Sequence, residues 1–204
     1  MKNKIKTLLL IVLAGMMLIT LTGCGKEDNE SKEEEKVDLG KWNENVYTNE
    51  YLGMKITLPE GWTAATDEQI AKLMNIGEEV LKDEGKYMSE VAKQTSRYYA
   101  SATEDATGSG IIVMSEKTPG ATLDDYVKAL KTQLTSMTQM SYKVTHEGEA
   151  KLSGTTWSTL TLTETTYGVA QRYYVCEKDG SFVGIILTSS NGEEKLDTIA
   201  KFFE

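Results

Sequence analysis

Residues 169–188, VAQRYYVCEKDGSFVGIILT, place two apolar-rich runs on either side of Asp179-Gly180. An Asp-Gly pair between such runs is a strong hairpin signal, because both positions of a two-residue turn need positive φ. A turn of that length sets Lys178 opposite Ser181, Cys176 opposite Val183 and Tyr174 opposite Ile185. Cys176 therefore falls on the apolar face of the hairpin.

Working outward, Tyr142 to Leu152 and Thr156 to Glu164 flank Ser153-Gly154, which extends the hairpin into a four-strand meander. On the C-terminal side Asn191 is expected to cap a closing helix, with Glu194 at its third position and Leu196, Ile199, Ala200 and Phe203 facing inward. On the N-terminal side Pro119-Gly120 breaks the chain and Thr122 caps an amphipathic helix. Its apolar face holds Leu123, Tyr126, Val127, Leu130, Leu134 and Met137.

Further back, Arg97 to Thr103 and Ile111 to Glu116 read as strands joined by a polar loop containing Gly108 and Gly110. Thr66 with Gln69 forms a capping-box pattern, followed at helical spacing by Ile70, Leu73, Met74, Gly77, Val80 and Leu81. A second helix is expected over Lys86 to Gln94. Val46 to Thr48 and Met54 to Leu58 read as a short hairpin, stopped by Pro59-Glu60-Gly61, and Trp62 opens the next segment. Hairpins with few helices between them indicate an α+β fold, a mostly antiparallel sheet of about six or seven strands with helices packed on it. Residues 46–204 are one domain of ordinary size.

Ahead of that domain the composition changes twice. Lys2, Lys4 and Lys6 precede an unbroken apolar run from Leu8 to Ile19, the charged and apolar regions of an export signal. The run is shorter than the roughly 20 residues of a membrane-spanning helix. It ends at Leu21-Thr22-Gly23-Cys24, a tetrad that resembles the lipobox of bacterial lipoproteins. That resemblance implies a diacylglyceryl thioether on Cys24, cleavage just before it and a protein on the outer face of the cell membrane. Two or three acyl chains, at about 0.8 kcal/mol per buried CH₂, anchor durably where one does not.

Residues 24–45 then read as the lipidated cysteine and an acidic flexible tether, too poor in apolar side chains to bury a core. A coil of about 20 residues reaches on the order of 25 Å. The formal charge is −9, and loss of the three signal lysines takes it to −12. So acidic a chain has no nucleic-acid footprint and no basic cluster for an anionic leaflet. With Cys24 acylated, Cys176 is left without an intramolecular partner, so the domain must be stable without a disulfide.

The order of elements resembles the PsbP-like fold. Tyr51-Leu52-Gly53-Met54 running into Leu58-Pro59-Glu60-Gly61-Trp62 is similar to the opening of those domains. So are Thr122-Leu123 at the start of the long helix, Leu152-x-Gly154-x-x-Trp157, and Tyr173-Tyr174-Val175 before the Asp-Gly turn. The family includes photosystem accessory subunits, a nuclear-transport accessory factor and many bacterial lipoproteins. The resemblance therefore implies a binding or accessory module rather than an enzyme, with no catalytic residues to carry over. The lipobox and acidic tether depart from the photosynthetic members, which speaks against a photosynthetic role.

The residues themselves show no catalytic pattern: there is no G-x-S-x-G elbow, phosphate loop, H-E-x-x-H or Cys-x-x-Cys. His146 and Glu147 are neighbours on a strand and face opposite sides, so they cannot share a proton transfer. Met137 and Met140 are soft ligands at M-x-x-M spacing, but the helix's apolar face already accounts for Met137. Neither a metal nor a cofactor is expected. The candidate binding surface is aromatic: Trp62, Tyr98, Tyr99 and Trp157.

These features lead us to expect a membrane-tethered, non-enzymatic extracytoplasmic module that binds an envelope protein through the sheet face or the loops beside the Trp62 turn. The alternative is a small-molecule or lipid-binding module with a pocket between sheet and helix. A secreted hydrolase would instead need two converging carboxylates, one with a raised pKa.

Overall fold

The structure, a computed structural model, describes residues 38–72, 96–137 and 141–204. The signal and lipobox, most of the acidic tether, the helices expected between Leu73 and Gln94, and Met140 lie outside the described residues.

Among the described residues ten strands form two antiparallel sheets. The smaller one has the order β1 (Lys41–Asn43), β2 (Val46–Asn49), β3 (Met54–Thr57). The larger one has seven strands in the order β4 (Trp62–Ala64), β5 (Ser96–Glu104), β6 (Gly110–Glu116), β10 (Ser181–Ser189), β9 (Ala170–Lys178), β8 (Thr155–Glu164), β7 (Tyr142–Leu152). The helices that lie wholly within the described residues and pack on it are α1 (Leu123–Ser136) and α2 (Glu193–Ala200). The α+β architecture expected from the hairpin pattern is the one observed.

The Asp179-Gly180 hairpin has the expected register, with Lys178 opposite Ser181, Cys176 opposite Val183 and Tyr174 opposite Ile185. Both turn residues have positive φ, 49° and 70°, the backbone that this turn requires. Ser153-Gly154 repeats the device at 48° and 74° between β7 and β8.

β10 occupies the centre of the sheet, and every one of its residues is buried. Its near-continuous run Phe182-Val-Gly-Ile-Ile-Leu187 is what a strand covered on both faces requires. On one face Val183, Ile185 and Leu187 meet α2 through Leu196 and Ile199, together with Tyr47, Ile56 and Leu58 of the small sheet and the segment after it. On the other, Phe182 and Ile186 meet Tyr126, Leu130 and Leu134 of α1. Each buried Leu, Ile or Phe contributes roughly 1.5–3 kcal/mol.

α1 begins as expected: the Thr122 hydroxyl accepts from the Asp125 N–H, and the Asp125 carboxylate accepts in return from the Thr122 N–H. The start of the helix that follows Thr66 shows the same reciprocal pair with Gln69.

Two expectations need correction. Asn191 does not cap α2. The N-cap is Gly192, with φ 82°, because the chain must turn sharply out of β10 and only glycine takes that backbone without strain. Glu193 is the first helical residue, and it reaches back to the Thr163 hydroxyl at 2.8 Å.

The folded unit also starts before Val46. Lys41–Asn43 pair with β2, and the Asp38 carboxylate accepts from the Gly40 and Glu50 N–H groups. Trp42 supplies the apolar contact that the acidic composition hid, its ring 5.2 Å from that of Tyr47. At the other end of the chain, residues beyond α2 extend the small sheet. Thr57 donates to the Phe202 carbonyl, Glu204 donates to the Lys55 carbonyl, and Phe203 pairs with Ile56.

Candidate functional site

The four aromatic residues expected to form one surface are not one surface. Tyr98, Tyr99 and Trp157 are buried, at 9%, 6% and 3% exposure. Tyr98 packs on the α1 face, whereas Tyr99 and Trp157 belong to the opposite core. Alternation along β5 separates the two tyrosines, and a bulge between Tyr98 and Ala100 then keeps Tyr99 and Ala100 in the same core.

The polar atoms of these aromatics serve the fold. The Tyr99 hydroxyl lies 3.0 Å from that of Ser115, and the Trp157 indole donates to the Leu152 carbonyl at 3.0 Å. Trp62 is half-buried at the start of β4, edge-on to Phe202 with ring centroids 5.2 Å apart. Alternation along a strand does not show what lies across from each face, and here a core covers each one.

Between sheet and α1, where a pocket would lie, Tyr126, Leu130, Leu134, Tyr173 and Phe182 pack in one apolar cluster, none more than 3% exposed. Cys176 is half-buried beside the other core. Burial pushes its thiol up to about 11, against the opposing pull of Lys178, so at neutral pH it is a protonated packing group rather than a nucleophile.

Several carboxylates act as anchors. Burial alone would raise the pKa of Glu104. The Lys195 ammonium at 2.8 Å and the Thr107 hydroxyl outweigh it and hold that carboxyl below its ordinary value. Glu164, at the end of β8, is held low in the same way by the Thr166 and Tyr167 N–H groups, which donate across 2.9 and 2.5 Å. Asp125 and Glu204 also shift downward, through Thr122 and through Lys55 and Thr57. A general acid needs the opposite shift. Among the described residues no three His, Cys, Asp or Glu side chains come together as a metal site.

His146 is exposed on β7, opposite Thr161 just after a bulge, while Glu147 bonds Lys131 of α1. β7 is an edge strand, and the bulge together with Lys143, Glu147, Glu149 and Lys151 guards it against pairing with another chain.

The strand directions separate two ends of the molecule. At one end lie Asp38, the turn from Glu50 to Gly53, Ser153-Gly154 and Asp179-Gly180. Lys178 sits over the Tyr51 ring at 5.2 Å, tying the small sheet to the hairpin at that end. At the other end lie the turn before Trp62, the loop 105–109, the turn 165–168 and the N-terminus of α2. Asp105 donates there to the Gly61 carbonyl and accepts from Thr63, and Ser190 donates to the Thr107 carbonyl. Tyr167 projects from this end at 65% exposure.

The fold is thus an α+β module whose seven-stranded antiparallel sheet is packed on both faces. No family model matches the chain, and no curated protein matches it. The solution structure of cyanobacterial PsbP (CyanoP) from Synechocystis is similar to it at 13% sequence identity and a TM-score of 0.47, covering 90% of this chain and 98% of that one. A likeness at that level carries no conclusion about activity or partner.

Proposed function

We propose that this protein is a lipid-anchored extracytoplasmic module with a PsbP-like domain, which binds a protein partner in the cell envelope and catalyses no reaction. The observation that carries the reading is Leu21-Thr22-Gly23-Cys24, placed directly after Lys2, Lys4, Lys6 and the apolar run from Leu8 to Ile19. Acylation of Cys24 gives the domain its membrane attachment. The apolar cluster packed between sheet and α1 favours a partner that meets the outer surface over a ligand held inside. With the centre of the sheet packed on both faces, the loops at its two ends are open to such a partner.

The test compares the native chain with Cys24→Ala in a bacterial host fed an alkyne-bearing fatty acid. The native chain should label and sediment with membranes, and the variant should do neither. An unlabelled native chain, or a variant that labels equally, would sink the lipoprotein reading.

A further inference from the structure

We propose that the end of the sheet opposite the tether, centred on Tyr167, is the surface that meets the partner, and that the partner presents a basic protein face. This rests on the lipoprotein reading above and names the surface that it leaves open.

Where the chain enters the fold decides the orientation. Thirteen residues, 25–37, separate Cys24 from Asp38. A flexible coil of that length spans roughly 20 Å on average. Asp38 is bonded to the Glu50 N–H, and the adjacent Tyr51 lies beneath Lys178, so the tether joins the fold at the Asp179-Gly180 end. A nine-residue strand such as β10 is roughly 30 Å long, which sets the far end about that distance from the end where the tether joins. The attachment point lies at the near end, which leaves the far end clear of it.

The far end has the make-up of a protein-binding patch. Tyr167 is a large aromatic in open solvent, and its turn is fixed by the buried Glu164 carboxylate, which accepts from the N–H groups of both Thr166 and Tyr167. A rigid exposed aromatic orders little on binding and suits an interface anchor. At the same end of the molecule Glu44, Glu60, Asp105 and Glu194 are exposed. Lys195 is engaged by Glu104, which leaves Lys143 as the exposed lysine of this rim among the described residues. That balance of charge selects a basic partner and repels a second copy of this chain.

The experiment places the photo-crosslinker p-benzoylphenylalanine at Tyr167, or at Lys151 beside the Ser153-Gly154 turn, in the full chain in cells. Adducts are mapped by mass spectrometry and the same cells are fractionated. The expected result is a protein adduct at Tyr167 at least tenfold above that at Lys151, joined through a peptide of net positive charge. It should fall tenfold or more in a Glu60→Lys, Asp105→Lys, Glu194→Lys variant that keeps its circular dichroism spectrum. The proposal is overturned by an adduct at Lys151 alone, equal adducts at both, a lipid adduct at Tyr167, an adduct indifferent to charge reversal, or no adduct from a membrane-bound chain. A chain found wholly in the soluble fraction defeats instead the anchor reading on which the orientation depends.

Discussion

The Lys195 ammonium donates to the Glu104 carboxylate across 2.8 Å, joining α2 to the end of β5 over 91 residues of sequence. Both side chains are largely shielded, at 26% and 16% exposure, and Thr107 donates to the same carboxylate. Glu104→Gln should destabilise the domain by about 2 kcal/mol, the usual cost of losing a charged hydrogen bond. The pH dependence has a defined sign. The folded pKa of Glu104 lies below its ordinary value of 4.5, as does that of Glu164, so their contribution is complete above about pH 4.5 and is lost as pH falls through the folded values. Urea midpoints measured from pH 7 to pH 3 should drop in acid, and less steeply in Glu104→Gln than in the parent.

Cys176 gives a second test. With its thiol pushed up to about 11 and half-buried, it should react with Ellman's reagent at pH 7.5 at least tenfold more slowly than after unfolding in urea. A Cys24→Ala chain leaves it as the single thiol. Equal rates in the folded and unfolded chain would show that the hairpin does not bury it.

Within α1 the cap and the core differ in weight. Thr122→Ala removes one side-chain acceptor at an exposed terminus and should cost about 1 kcal/mol. Leu130→Ala opens a cavity at a residue 1% exposed and should cost about 3 kcal/mol. Chemical denaturation of both variants checks the ratio.

Gly180 separates backbone conformation from packing. A Cβ there would meet nothing within 4 Å, yet φ is 70°. Gly180→Val should therefore destabilise by about 2 kcal/mol through the backbone alone, and Gly180→Asn by clearly less, because asparagine tolerates that region. Thermal unfolding of the two variants reads the difference. Equal losses would mean the turn had changed type.

Much of the domain was legible in the chain because its signals are local. Asp179-Gly180 and Ser153-Gly154 each specify a two-residue turn, and alternation in the flanking strands then sets the register residue by residue. Thr122 and Thr66 announce their helices through partners three residues away. The candidate surface was not legible, because exposure of Tyr99 or Trp157 depends on what lies across from them. Tyr99 and Trp157 share a core with Tyr47, Leu196 and Phe203, residues distant in sequence. Tyr167, the large aromatic exposed among the described residues, lies in a turn that no periodicity marks.

The sequence by itself determined the hairpins, the helix starts at Thr66 and Thr122, the α+β class and the acidic charge, since each follows from residues within a few positions of one another or from a simple count. It also carries the export signal and the lipobox tetrad on which the proposed address rests. Only the tertiary structure decided which sheet edge is guarded, that Lys41–Asn43 fold with the domain, that both sheet faces are covered, and which loops gather at which end. Those outcomes depend on contacts between segments far apart in the chain, such as Ile56 with Phe203 and Glu104 with Lys195. Such contacts form only once the strands are ordered in space, and no local pattern encodes them.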